Sequence, residues 1–350
     1  VNGIVQDNPS LLLEPARTNS ITYSEDFSNV YWTKSGTSFT ANQLSPSGNT
    51  NAFKLVETTG SSIKNRLASP VFSVSSGLVY SISVFAKYNG RPLQIFTGAA
   101  AGNLLANFDL QNGALGTKTT TTSNITPLSN GWFRCSISFT PTSTGNMDFS
   151  TITVLTTTSG YAAGYTGNGT DGVYMYGAQL EAGSYPTSYI PTSGSAVIRA
   201  AETATGAGTS ADFNDSEGVL YLNIKPIALD GIHKRITLSD GTPTNRIIMG
   251  ISNNNQVLAT VYDGSNQAVL GGSYSNMDEL QKVALKYKTN DFSLHYNGFK
   301  VASSTSGNTF PEGTLNQFKF EDGNGGLDFY GIAKEVAYFK EALTDTELES

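Results

Sequence analysis

The sequence predicts an all-β protein built from two antiparallel β-sandwiches in tandem. The 350 residues include 36 glycines, 17 tyrosines and 18 phenylalanines, whereas only 14% are charged. This composition is typical of many short strands joined by polar turns. Apolar and polar residues alternate in short runs, and pairs such as Asn112-Gly113 and Asp171-Gly172 separate these runs where tight hairpins would need them.

The order of these runs divides the chain into four segments. Residues 1–22 are expected to be an extended N-terminal segment, and 23–192 to be the first sandwich, of the jelly-roll type. Glycine and proline then break the pattern, which predicts a linker over 193–215. Residues 216–350 are expected to form the second sandwich.

Strands of the first sandwich are predicted from alternation with a period of two residues. In the run 132–139, Phe133, Cys135, Ile137 and Phe139 share the face expected to lie in the core. The polar stretch GTKTTTTSN at 116–124 is expected to be a mobile loop. The predicted strand runs are 39–44, 52–56, 71–74, 79–88, 93–97, 104–110, 132–140, 149–155 and 173–180.

The second sandwich opens with the run SEGVLYLNIKP at 216–226. Asn297-Gly298 is expected to form a tight hairpin turn within FSLHYNGFKVASS. Thr344 followed by Glu347 matches a capping box and predicts a short helix there. The other predicted strand runs are 235–238, 246–251, 257–262, 281–287, 292–296, 300–303, 317–320 and 332–338.

Charge argues against nucleic-acid and membrane partners. Residues 1–200 carry 10 basic and 9 acidic side chains, whereas 201–350 carry 11 basic and 19 acidic ones. Nucleic acids and anionic membranes need basic patches, which an acidic second half does not favour. No apolar run approaches the length of a membrane span, so membrane insertion is not expected.

Catalytic motifs are also missing from the sequence. His233 and His295 have no zinc-site spacing, and the single cysteine, Cys135, lies inside a strand pattern. There is no G-x-S-x-G nucleophile motif. A pair of carboxylates for glycoside hydrolysis stays open, because two such residues need only meet in space. The protein is expected not to be an enzyme.

Three motifs stand out in the sequence: LLLEPARTN at 11–19, YSEDFSNVYWTK at 23–34 and YGAQLEAGSYPTSYIPT at 176–192. These motifs resemble tail-fibre and head-fibre proteins of tailed bacteriophages. Residues 20–182 further resemble jelly-roll carbohydrate-binding modules, through GLVYSISVFAKY, FDLQNG and GWFRCSISFTPT. Residues 216–349 resemble concanavalin-like or laminin-G-like lectin domains, through FSLHYNGFKVASS and the ending GIAKEVAYFKEALTDTELE.

These resemblances imply a biological setting. They suggest a non-enzymatic fibre segment on the exterior of a phage virion, assembled as a homotrimer with other virion proteins. Its ligand would be a polysaccharide or a cell-surface glycan. Two alternatives stay open: purely structural or assembly domains of the virion, and the non-catalytic part of a polysaccharide depolymerase.

Sugar binding needs an aromatic face for the pyranose ring, flanked by polar groups that reach its hydroxyls. The outward-facing residues of the first sandwich offer that combination, and a loop at its end offers two more aromatic rings. The candidate residues are Trp132, Arg134, Phe85, Lys87 and Gln179, with Tyr161 and Tyr165 as the second group.

Calcium is a possible cofactor, although none is required. The loop EDGNGGLD places Asp322, Asn324 and Asp328 close together in the sequence, and oxygen atoms of such residues are calcium ligands. Carbohydrate-binding modules of the type named above often hold a structural calcium through an acidic residue of the last strand. Here the matching positions of that strand read Tyr176, Gly177, Ala178 and Gln179, and this departure from the pattern argues against a calcium ion in the first sandwich.

Overall fold

In the computed structural model, the chain is described over residues 9–60, 63–120, 122–273 and 279–349. It forms two compact units. Unit 1 comprises residues 16–200, and unit 2 comprises 9–15 together with 201–349. The linker predicted over 193–215 stays a prediction, while the contacts place the change of unit between Ala200 and Ala201.

The regular secondary structure in the described part of unit 1 is almost entirely strand. Its elements, numbered in chain order with the one strand that belongs to unit 2, are β1 (Leu11–Leu13), β2 (Arg17–Asn19), β3 (Thr33–Ser35), β4 (Thr37–Gln43), β5 (Ala52–Glu57), β6 (Arg66–Val74), β7 (Tyr80–Asn89), β8 (Leu93–Phe96), β9 (Leu105–Asp109), β10 (Ala114–Lys118), β11 (Thr122–Pro127), β12 (Trp132–Phe139), β13 (Gly145–Val154), β14 (Gly172–Ala182) and β15 (Val197–Arg199). Two short 3-10 helices lie at Ala99–Ala101 and Ser129–Gly131.

Two six-stranded antiparallel sheets form the sandwich of unit 1. One has the order β10-β9-β8-β13-β6-β3, and the other β11-β12-β7-β14-β5-β4. Between them lies the apolar core, which includes Ile82 and Val84 of β7 and Cys135 and Ile137 of β12. The facing predicted by alternation is therefore confirmed. Strands β2 and β15 pair separately as a small two-stranded sheet.

Unit 2 is the second sandwich. Its elements are β16 (Glu217–Pro226), β17 (Lys234–Ser239), β18 (Asn245–Ile251), β19 (Val257–Asp263), β20 (Asn266–Gly272), β21 (Gln281–Lys288), β22 (Phe292–Tyr296), β23 (Phe299–Ser304), β24 (Gln317–Lys319), β25 (Gly331–Phe339) and helix α1 (Asp345–Leu348). One sheet has the order β1-β25-β16-β21-β22-β23 and the other β20-β19-β18-β17-β24. Leu222, Leu285 and Leu294 are among the core residues between them.

The predicted fold class is confirmed: the protein is all-β, with two antiparallel sandwiches. The capping box at Thr344 and Glu347 is present at α1. Asn297 and Gly298 both have positive φ, as a tight hairpin turn requires. The loop predicted at 116–124 is wrong, because β10 and β11 occupy most of it. Its threonines are β-branched and favour extended backbone.

Strand β1 joins a sheet far from its neighbours in sequence. Leu11, Leu12 and Leu13 pair with Ala333, Ile332 and Gly331 of β25. The chain therefore leaves unit 2 after residue 15, builds unit 1, and returns at residue 201. Within the described ranges, no helix is long and apolar enough to cross a membrane.

Candidate functional site

The outer face of the β7/β14 sheet in unit 1 is covered by residues 183–194, here called the strap. The Ile190 N–H donates to Gln179 Oε1 at 2.7 Å, and Gln179 Nε2 donates to the Thr187 carbonyl at 3.3 Å. Glu181 accepts bonds from the Thr187 N–H at 3.0 Å and its hydroxyl at 2.5 Å. Gln179 and Glu181 are both fully buried. The strap is therefore anchored by two polar side chains of the strand that precedes it.

The strap changes the interpretation of the aromatic candidates. Trp132 is 2% exposed and Phe85 is 7% exposed, and both belong to a small apolar cluster on this face. The ring of Tyr189, from the strap, lies 5.8 Å from the ring of Phe85 in an edge-on arrangement. The rings of Trp132 and Phe85 are thus covered, and not open to a sugar ring as we expected from the sequence.

The charged and polar candidates of this face differ in environment. The Arg134 guanidinium lies over the Phe85 ring at 5.3 Å and donates to Ser83 Oγ at 2.9 Å. Gln179 anchors the strap. Lys87, which is half-buried, stays at the accessible margin of the face. A role of these residues in glycan binding stays a prediction.

Tyr165 belongs to a buried ionic cluster. Its hydroxyl donates to Glu57 Oε2 at 2.6 Å, and Arg91 donates two bonds of 2.8 Å to the same carboxylate. Burial acts to raise the pKa of Glu57, but the bonds from Arg91, Tyr165 and the Asn168 N–H outweigh it, so the pKa is lowered. Burial and the bond to Glu57 raise the pKa of Tyr165. The cluster fixes the loop that carries Tyr165.

Tyr161 lies apart from the other six candidates in its contacts and remains accessible. Its side chain is 50% exposed, and its ring centroid lies 4.9 Å from that of Phe96. Lys64 Nζ lies 4.2 Å from the centre of the Tyr161 ring. This small exposed aromatic patch stays a candidate for sugar contact.

The loop proposed for calcium is organised by its own backbone. Asp322 Oδ1 accepts from the Asn324 N–H at 2.9 Å, and Asp328 accepts from the Tyr330 hydroxyl at 3.0 Å. Arg246 Nη1 donates to the Asp322 carbonyl at 2.5 Å and brings a positive charge to the loop. Among the described residues, no group of three or more His, Cys, Asp or Glu could hold a metal. Calcium binding by Asp322, Asn324 and Asp328 stays a prediction.

A groove of about 780 Å³ lies on the outer face of the six-stranded sheet of unit 2. Its floor is set by strand register. Tyr221 of β16 lies between Ala337 of β25 and Ala284 of β21, and Ala284 pairs with His295 of β22. The residues directly opposite Tyr221 on both neighbouring strands are alanines, which leave space beside its ring.

The next row along the same strands is polar throughout. Asn223 pairs with Glu335 on one side and with Lys282 on the other. Asn297 lies beyond Lys282 and accepts from its backbone N–H at 2.9 Å. All four side chains line the groove. An aromatic side chain beside a row of amide, amine and carboxylate groups is the combination that holds a sugar ring and its hydroxyls.

Two side chains at the groove are buried without a complete set of hydrogen bonds. Asn223 is 9% exposed and its Oδ1 has no partner, and His295 is 1% exposed and its Nδ1 has none. Buried polar atoms in proteins are nearly always paired, and those that are not call for a specific explanation. A ligand in the groove that offers hydroxyl groups would satisfy them.

The C-terminal segment forms one wall of the groove, through Leu343 and the helix α1. Asp345 of α1 accepts from Lys300 Nζ at 2.6 Å and lies 3.5 Å from Lys286 Nζ and 3.6 Å from His295 Nε2. The bond from Lys300 lowers the pKa of Asp345, despite some burial. Burial lowers the pKa of His295, which favours the neutral ring at pH 7.

Sequence reasoning missed the groove. The signal was present in 217–226, where Val219, Tyr221 and Asn223 alternate with core leucines. An aromatic residue followed two positions later by an amide, on the solvent face of a strand, marks such a site. The alanines that open the space around Tyr221 come from two distant strands, so only the register reveals them.

Neither a protein-family model nor a curated protein sequence matches the chain. Solved structures do. The chain is similar to the Ruminococcus gnavus IT-sialidase CBM40 bound to alpha2,3 sialyllactose, with 18% identity over 42% of this chain and 95% of that one, and a TM-score of 0.35. It is also similar to the mouse laminin alpha1 chain domains LG4-5, with 14% identity over 80% of this chain and 86% of that one, and a TM-score of 0.28. Both are similarities of fold.

Proposed function

We propose that this chain is a non-enzymatic, glycan-binding segment of a fibre on the exterior of a tailed-phage virion. The observation that carries the binding function is the groove of unit 2, where Tyr221 and the unpaired Asn223 amide oxygen meet. Its volume lies in the range of small-ligand sites, which is roughly 300–1,000 Å³. The fibre setting and the homotrimer are supported by the motifs at 11–19, 23–34 and 176–192.

The mechanism would be reversible adhesion. A sugar ring would lie against Tyr221, and its hydroxyls would bond to Asn223 and the polar side chains beside it. A single open groove on a sheet face is expected to bind a glycan weakly. Three copies on a fibre, and many fibres on a particle, would raise the overall affinity because later contacts form within an already bound particle.

A glycan-array screen of the full chain, displayed in many copies on beads, tests this function. We expect binding to a defined polysaccharide or cell-surface glycan that falls at least tenfold in Tyr221→Ala and in Asn223→Ala, because stacking and a buried hydrogen bond are lost. Tyr262→Ala, on the other sheet of unit 2, is the matched control and should bind normally. Circular dichroism verifies folding.

Two results would contradict the proposal. Binding that is equal in Tyr221→Ala and in the unchanged protein would exclude the groove. No binding across a broad array would exclude adhesion and favour a structural role in the virion. If the bound polysaccharide were cut, a reducing-end assay would detect new ends and the depolymerase alternative would gain support.

The structural alternative has an observation of its own. Phe299 is 72% exposed and Phe339, at the groove, is 43% exposed. Apolar rings on a surface favour protein contacts when they cluster. Phe299→Ser should leave glycan binding unchanged if the fibre function is correct, and should prevent assembly with other virion proteins if the structural one is.

A further inference from the structure

The row of side chains next to Phe85 and Tyr176 crosses the outer face of unit 1, and its first member is the buried Trp132 of β12, which pairs with Lys87. Tyr174 of β14 pairs with Lys87 of β7 on one side and with Lys54 of β5 on the other. These residues lie on the outer face, since the alternate residues Leu55 and Val173 are in the core. The side chains of Lys54, Lys87 and Tyr174 are half-buried, so they are accessible from solvent.

The two lysines have no acidic partner within the described chain. Neither takes part in an ion pair there. Glu25, which packs near the same aromatic cluster, is engaged by the Tyr176 hydroxyl at 2.8 Å and by Asn51 at 3.2 Å. Two ammonium groups thus flank one tyrosine without a neutralising carboxylate.

The spacing of the row suits an extended polyanion. Neighbouring strands are about 4.8 Å apart, so the Cα atoms of Lys54 and Lys87 are roughly 10 Å apart with Tyr174 midway between them. The neighbouring row of Phe85 and Tyr176 does not compete, because Tyr189 of the strap already packs on both rings. A chain that carries negative charges at intervals can reach both ammonium groups while a sugar ring lies on the tyrosine.

We propose that Lys54, Tyr174 and Lys87 form a binding site for acidic polysaccharide, in which carboxylates pair with the two lysines and a sugar ring packs on Tyr174. This site is separate from the groove of unit 2 and selects a different ligand. The overall charge of −7 opposes a polyanion. At 0.1 M salt, however, charges more than about 10 Å away are largely screened, so the local lysines dominate.

Binding of the full chain to immobilised polygalacturonate at 0.1 M salt tests the site, with the same polymer after reduction of its carboxylates as the neutral probe. We expect Lys54→Gln and Lys87→Gln each to weaken binding about threefold, as loss of one exposed ion pair would. Lys118→Gln removes an exposed charge from the other sheet and should have no effect. Binding should vanish at 1 M salt.

Tyr174→Phe and Tyr174→Ala separate stacking from charge. The phenylalanine variant keeps the ring and should bind polygalacturonate normally, whereas the alanine variant should bind several-fold more weakly. Tyr221→Ala, in the groove, should leave polygalacturonate binding unchanged, so failure of the groove and failure of this site are distinguished.

Three outcomes would overturn the proposal. One is equal binding by the lysine variants and the unchanged protein. Another is equal binding of the reduced polymer, which would make charge irrelevant. The third is equally tight, equally salt-dependent binding of duplex DNA, which would indicate a general polyanion surface instead of a polysaccharide site.

Discussion

The two sandwiches differ in how far the outer face of their central strands is covered. In unit 1, the outer face of the β7/β14 sheet is partly covered by the strap, whose Tyr189 packs on Phe85 and Tyr176. In unit 2, the outer face of the β16/β21 sheet stays open as a groove around Tyr221. The difference comes from the side chains on each central strand and from their neighbours. Gln179 and Glu181 on β14 bind a returning segment, whereas Tyr221 on β16 lies between alanines.

The comparison teaches that an aromatic residue on an outer sheet face does not by itself mark a binding surface. Coverage depends on polar side chains that hold a neighbouring segment in place. The strongest experiments therefore remove those side chains from unit 1 and ask whether its face opens, while unit 2 serves as the internal reference.

The largest loss of stability is expected from Gln179→Ala. The change leaves the Ile190 N–H and the Thr187 carbonyl without their bonds, at a fully buried position. We expect the free energy of unfolding of unit 1 to fall by about 3 kcal/mol, since buried unpaired groups cost about 1–3 kcal/mol each. Urea unfolding measures it, and Gln111→Ala, in an exposed turn, is the control.

Cys135 provides a readout for unit 1 alone. It is the single cysteine of the chain and is fully buried in the core, and burial raises the pKa of its thiol. A thiol reagent should therefore modify it only when unit 1 opens. Gln179→Ala should increase the rate of modification, and an unchanged rate would show that the strap does not stabilise the unit.

A somewhat smaller effect is expected from Arg91→Ala, which leaves the buried Glu57 carboxylate without its ionic partner. Breaking a buried pair costs about 3 kcal/mol, and the 20% exposure of Arg91 reduces this toward about 2 kcal/mol. Because the pKa of Glu57 is lowered in the folded state, its ionised form stabilises the fold above the ordinary glutamate pKa of about 4.3.

The lowered pKa of Glu57 predicts how the stability of unit 1 depends on pH. The stabilisation by Glu57 is present above about pH 4.3 and is lost as the pH falls through its folded-state pKa. The difference in stability between Arg91→Ala and the unchanged protein should therefore narrow below about pH 4. Urea unfolding of both proteins from pH 7 to pH 3 measures it, and a constant difference would contradict the role assigned to Glu57.

The smallest effect is expected from Thr344→Ala in unit 2. The change removes the capping box of α1, the helix that forms part of one wall of the groove. A lost N-cap costs about 1 kcal/mol. Glycan affinity at the groove should fall by no more than about fivefold, because α1 supplies a wall and not the floor. A complete loss of binding would show that α1 itself holds the ligand.

Local sequence predicted much of the fold and little of the site. Alternation placed Ile137 and Phe139 in the core, and Asn297-Gly298 predicted its hairpin, because these signals lie within a few residues. The strap was not predicted, since it depends on Gln179 accepting a bond from Ile190 after the chain reverses. The groove was not predicted either, since the space beside Tyr221 depends on Ala284 and Ala337, which belong to other strands.

Strand β1 has a consequence for how the protein forms during synthesis. Its three leucines are synthesised before their partner, β25, which is separated from them by nearly the whole described chain. Until β25 is made, the Leu11–Leu13 backbone is an unpaired apolar edge, the kind that other chains can pair with. Unit 1 is meanwhile free to fold first. Strand β1 thus stays unpaired, and able to pair with another chain, until the ribosome has finished unit 2.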